Sequence, residues 1–284
     1  MPQDNIPNRP RSLSAFALAG RFLFSSPAPS DGDEPRWSRA AKWLPVWGLA
    51  IGIVYAVAFR LAWRAFGEYQ GIRWVPVMAV LAVDLALCGY RMLAAAASLA
   101  SSKSDQEGQT PLNLRGLLIV LLIVLAKFSL LASLPIGIWR SGGWDSVFGG
   151  RFSFLYPLAI YRALILAPLW GRWAMTLAVT IGRTAPSGSV RLQRMAGGSS
   201  LAVIVIGWLA CSVLTAVYCS GSGEHITRGV VLALAAMVVA YLTSFILALR
   251  AGGQTEATVG TVGLATEVTF LIFYVGISNA IYWY

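Results

Sequence analysis

Charge is what this sequence has least of. Asp, Glu, Lys and Arg make up 12% of its 284 residues, about half the share usual in a soluble domain. With 57% hydrophobic residues and a mean hydropathy of +0.67, that scarcity excludes an ordinary soluble domain and describes a polytopic membrane protein. Histidine is nearly absent: His225 stands beside Glu224 in a short polar loop and reads as a loop residue. The three cysteines, Cys88, Cys211 and Cys219, lie in or beside apolar runs without metal-ligand spacing. They read as small buried hydrophobes. The 22 basic residues outnumber the 12 acids but form no single patch, which argues against a nucleic-acid partner. Repeats of 20–50 residues are lacking, and so is low complexity beyond Ala94 to Ala97.

What is present is a series of apolar segments near 44–63, 75–99, 116–138, 155–181, 201–219, 229–249 and 262–283. Each is close to the ~20 residues that cross a bilayer core as a helix. They are continuously apolar rather than alternating, which sets aside a strand barrel. The fold class is therefore all-α: a membrane helix bundle of about seven spans in contact with the lipid bilayer. Residues 1–43 form a separate polar segment before the transmembrane domain at 44–284. Within that segment Ala15 to Phe24 is apolar but split by Arg21. The interruption favours an interfacial or re-entrant piece over a cleaved signal. With the N-terminus inside, twelve Lys and Arg fall in cytoplasmic pieces and five in outer loops. That bias predicts a cytoplasmic N-terminus in an inner membrane. The loops at 100–115, 182–200 and 250–261 then share one face.

Charges within the bilayer are costly, so each asks for a partner or a task. Asp84, Lys127, Arg162, Arg172 and Glu267 are the candidates, and Asp84 with Lys127 is the expected internal ion pair. Arg60 and Arg91 can snorkel to an interface.

The stretch from Arg250 to Phe273 joins a basic residue, the Gly252–Gly253 pair and a polar loop to an apolar segment containing Glu267. On spacing alone it is a Gly-rich turn between two helices. It also resembles the C-terminal signature of the cobalamin synthase family, the adenosylcobinamide-GDP ribazoletransferases, roughly GG-x-TGD-x-x-GA and then an acid. Gly252, Gly253, Thr255, Gly260 and Glu267 match, while Glu256 and Ala257 replace the family's Gly-Asp pair. A second resemblance runs from Leu166 to Gly188, where Ala167, Pro168, Arg172, Trp173, Ala174, Met175, Arg183 and Gly188 match in order. Phe22 to Pro29 and Trp43 to Gly52 are similar to the family's first motifs.

The family's acidic motif in the second helix, His-φ-Asp-Gly-φ-Ala-Asp (φ apolar), is not reproduced. Gly89, Leu93 and Ala97 fit, but Met92, Ala94 and Ser98 occupy the metal-binding positions. Of the following motif only Gly116 survives in place. The resemblance implies transfer of α-ribazole or its 5′-phosphate to adenosylcobinamide-GDP with release of GMP and a requirement for Mg²⁺. By that analogy Arg172, Glu256 and Glu267 carry the chemistry. Arg183, Gly252, Gly253 and Thr255 bind the nucleotide, and no residue is assigned as a metal ligand. Asp105, Glu107 and Glu256 offer a relocated metal site. The missing acids keep a second reading open, a catalytically silent member that binds a corrinoid or nucleotide or scaffolds other enzymes. A transporter ranks last, since interrupted helices paired between the two halves are lacking. Self-association is left open.

Overall fold

The structure, a computed structural model, describes residues 14–24, 35–67, 74–100, 114–134, 159–186, 188–219 and 226–280. These form helices α1 (Ala15–Phe24), α2 (Leu44–Ala62), α3 (Trp74–Asp84), α4 (Tyr90–Ala100), α5 (Leu114–Ser133), α6 (Ala159–Ile181), α7 (Val190–Gly198), α8 (Leu201–Cys219), α9 (Ile226–Ala251) and α10 (Glu256–Ala280). A π-helical turn at Leu85–Gly89 joins α3 and α4 into one span. Seven helices among the described residues are long and apolar enough to cross a membrane, as the apolar segments predicted.

The bundle is built around α6. Of its most apolar stretch 89% is buried inside the protein, against 17% for α5 and for α8. It can sit at the centre because its neighbours come very close: α2, α8, α9 and α10 all pack on it. Gly48 and Gly52, four apart on α2, let that helix approach closely. A β-carbon at Gly48 would stand 2.6 Å from Pro168 O, and one at Gly52 would stand 2.7 Å from Ile165 Cα. Small residues at this spacing let membrane helices associate through backbone contact, without a hydrophobic driving force. The Trp43 to Gly52 stretch therefore serves as the seam between α2 and α6.

One helix begins earlier than its hydropathy suggests. The last apolar segment reads from 262, yet α10 starts at Glu256. The cause is a reciprocal cap. Thr255 Oγ1 accepts from Thr258 N at 3.1 Å, and Thr258 Oγ1 accepts from Thr255 N at 2.8 Å. Two donors that a helix start leaves unsatisfied are thereby met, and most of the polar loop becomes the first turns of the helix.

Ten residues of α1 are too few to span a bilayer. Instead α1 docks on the end of the bundle where α10 begins, with Leu18 and Ala19 fully buried. Phe16 stacks on Trp47, 4.7 Å between ring centres, and its carbonyl accepts from Trp47 Nε1 at 2.9 Å. Arg91 Nη1 donates to the carbonyls of Phe22 and Leu23 at 3.1 and 3.3 Å, closing the C-terminal end of α1. Helix α7 packs beside it on the 3₁₀ turn Pro35–Arg39.

Candidate functional site

Three groups of side chains meet around α6 and α10. The deepest is a charge network inside the membrane span. Lys127 Nζ lies 2.9 Å from Asp84 Oδ2 and 2.8 Å from Glu267 Oε2. Arg172 pairs with Glu267, and its Nη2 donates to Cys88 Sγ at 2.8 Å. Tyr55 donates its hydroxyl to Asp84 Oδ1 at 2.5 Å. All four charged residues are buried. Two carboxylates face two cations, so the network is neutral as a whole, and each acid is held by a cation and a further donor. The expected Asp84–Lys127 pair is present, and Glu267 joins it to Arg172. A cavity of about 30 Å³ lies alongside, lined by Tyr55, Asp84, Lys127 and Glu267 among others.

The second group is a pocket of about 220 Å³ between α1, α4, α6 and α10. Cys88, Met92 and Met175 form its buried floor, and Arg91, Ala94, Ala95, Ser98, Glu256 and Gly260 its walls and mouth. Cys88 therefore touches both the pocket and, through Arg172, the charge network. Glu256 is gripped from the side. Arg191 Nη2 donates to both its oxygens at 2.7 and 2.9 Å, and Ser189 Oγ to Oε1 at 2.5 Å. Arg191 is itself buried and lies over the rings of Phe22 and Trp37 at 5.9 and 5.7 Å.

The third group is a clasp between the segments following α6 and α9. Gln254 N donates to Arg183 O at 2.7 Å, and Ala185 N to Gln254 O at 3.0 Å. Gly252 and Gly253 have φ of 69° and 136°. At Gly253 a β-carbon would also stand 2.6 Å from Ala185 N, so glycine is required there twice over. Gln254 is buried, its amide donating to Ser244 Oγ at 2.8 Å and its carbonyl oxygen accepting from Thr258 Oγ1 at 2.7 Å.

The residues singled out in the sequence are thus divided among the three groups. Arg172 and Glu267 belong together in the network. Glu256 lines the pocket. Arg183, Gly252 and Gly253 build the clasp, with the Arg183 side chain exposed, and Thr255 caps α10. Sequence reasoning passed over Arg191, Ser189 and Tyr55. Ser189 was legible as the N-cap of α7, but Arg191 looked like one more loop cation. Asp105 and Glu107 lie outside the described residues, as does His225.

The described residues do not by themselves fit the Mg²⁺ that the resemblance implies. A hard divalent cation asks for several oxygen ligands. Glu256 is the one carboxylate among the described residues lining the pocket, and it is already bound by Arg191 and Ser189. Among the described residues no three of His, Cys, Asp and Glu gather where they could hold a metal.

Comparison with known proteins matches residues 114–275 to the family described as CobS, cobalamin-5-phosphate synthase. The match takes in α5 to α10, with the network cations, the clasp and Glu256, and begins after α4. No curated protein and no solved structure matches the chain. A match over more than half of the sequence, ending within the helix that carries Glu256 and Glu267, makes this seven-span protein a member of the CobS family of cobalamin synthesis.

Proposed function

We propose that this protein serves late cobalamin synthesis as a ligand-binding membrane protein, and not as the Mg²⁺-dependent ribazole transferase that the resemblance implies. The observation carrying this reading is the lining of the pocket. Where the resemblance puts the family's acidic motif stand Met92, Ala94 and Ser98, and Glu256, the one carboxylate among the described lining residues, is held by Arg191 and Ser189. The pocket's volume of about 220 Å³ falls below the roughly 300–1,000 Å³ of a site enclosing a whole drug-sized ligand. Its mouth suits one ring system, the nucleoside end of α-ribazole or its 5′-phosphate, with any corrinoid left outside. Arg183, exposed at the clasp, stands where a soluble phosphate can reach it, whereas Arg172 is committed to Glu267. The Lys and Arg bias of the loops supports an inner-membrane protein with this end of the bundle facing the cytosol.

The transferase reading has one observation in its favour, a carboxylate lining the pocket. The two separate in one experiment on purified, detergent-solubilised protein. Adenosylcobinamide-GDP, α-ribazole 5′-phosphate and Mg²⁺ are expected to give no GMP, while α-ribazole 5′-phosphate binds saturably. Ala95→Phe, which fills the pocket, is expected to abolish that binding. Metal-dependent GMP release that is lost in Glu256→Gln would overturn the proposal in favour of the transferase. Absence of both turnover and binding would remove the ligand as well.

A further inference from the structure

The pocket floor carries a chemistry that its mouth does not. Three sulfur side chains converge there, Cys88, Met92 and Met175, and they are only 1%, 5% and 4% exposed. Cys88 and Met92 lie four residues apart on one side of the α3–α4 span. Met175 approaches from α6, three residues beyond Arg172. The two thioethers meet over Gly263 of α10. Met92 Cε and Met175 Cγ stand 3.0 and 2.8 Å from the point where a Gly263 β-carbon would lie. The three side chains border an open pocket of about 220 Å³, so a ligand entering it can reach them. We infer that the floor is a binding site for a monovalent soft metal ion, of the Cu(I) class, held by the Cys88 thiolate and the thioethers of Met92 and Met175.

Ligand softness supports the assignment, since thiolate and thioether donors select Cu(I) over hard cations. The surroundings supply what such a site needs next. Arg172 Nη2 donates to Cys88 Sγ at 2.8 Å, the kind of outer hydrogen bond that orients a metal-bound ligand. Glu267 in turn holds Arg172. Charge selects the oxidation state. Asp84, Glu267, Lys127 and Arg172 already sum to zero, so a thiolate with a monovalent ion leaves the buried region neutral, and a divalent ion would add an uncompensated charge. On binding, the Cys88 thiol gives up its proton to solvent through the pocket mouth as the S–Cu bond forms, with no change of oxidation state. This inference concerns the floor alone and does not rest on the nucleoside reading.

The test is anaerobic titration of the purified protein with Cu(I) against a colorimetric Cu(I) chelator, without corrinoid or nucleoside. X-ray absorption of the loaded protein is the second readout. One Cu(I) per chain is expected, with sulfur-only coordination. Cys88→Ser, which removes the charged donor, is expected to weaken binding on the order of 100-fold or more, and Met92→Leu or Met175→Leu about tenfold each. The leucines conserve volume, so folding is retained. Cys211→Ala and Cys219→Ala are expected to bind as the parent does. Failure of the parent to take Cu(I) from the chelator, equal affinity in Cys88→Ser, or nitrogen and oxygen neighbours in the absorption spectrum would each overturn the site.

Discussion

Replacing Lys127 by Met isolates the energetics of the membrane-embedded network. Lys127 Nζ bridges Asp84 and Glu267 at 2.9 and 2.8 Å, and its removal leaves two buried carboxylates facing Arg172 alone. Met keeps the length and volume of the lysine stem, so packing is largely preserved and the change is one of charge. Removing one partner of a buried pair costs about 3–5 kcal/mol, because the remaining charge stays desolvated without compensation. The network then has a net charge of −1. Adding Asp84→Asn returns it to zero and lets Tyr55 and the amide retain a hydrogen bond. The double variant is therefore expected to be more stable than the Lys127→Met single, despite carrying one more substitution. Thermal unfolding in a fixed detergent measures all three proteins. A single variant within about 1 kcal/mol of the parent, the range of an exposed pair, would refute the reasoning. A double variant less stable than the single would refute the charge-balance part of it.

Two further substitutions test the scaffold. Gly52→Leu places a side chain where Ile165 and Leu164 backbone atoms stand within 3.0 Å of even a β-carbon. Overpacking of this kind costs about 1–3 kcal/mol or more, and it should appear as a lower unfolding temperature and easier proteolysis between α2 and α6; an unchanged melting curve would mean that the two helices do not meet at this seam. Thr255→Ala deletes half of the reciprocal cap, with an expected loss of about 0.5–2 kcal/mol. Amide exchange at 255–259 should then quicken while exchange in α6 stays as in the parent, and undisturbed exchange at 255–259 would show that the cap does not set the start of α10.

Much of the fold was legible because a bilayer makes composition decisive. A run such as Leu114–Ser133 has no stable alternative to a spanning helix once its polar backbone must be satisfied internally. The start of α10 was not legible from hydropathy, because Thr255 and Thr258 act through hydrogen bonds that an apolarity profile does not register. Asp84 and Lys127 announced themselves as partners by depth alone. Glu267's part in the same network was hidden, since it depends on how α10 is rotated against α5 and α6. The pocket was harder still. Phe22, Arg91 and Glu256 come from three distant parts of the chain, and nothing in their local spacing says that α1 folds back over α4 and α10. Arg191 was missed for the same reason: a cation in a polar segment becomes a buried one only when Phe22 and Trp37 close over it.

The central position of α6 bears on how the protein is made. A helix with almost no surface left for lipid is a poor guest in a bare bilayer, and this one also brings Arg172 with it. During synthesis the cation of Arg172 and its partner are separated by 95 residues, and those of the Lys127–Glu267 pair by 140. Until α10 emerges from the ribosome, Lys127 has Asp84 and, among the described residues, Arg172 has only the thiol of Cys88. The arrival of α10 therefore completes both the electrostatic neutrality and the enclosure of α6 in one event. A nascent chain halted before α10 should remain in the keeping of the insertion machinery, with its fourth span shielded by protein and not yet released into lipid.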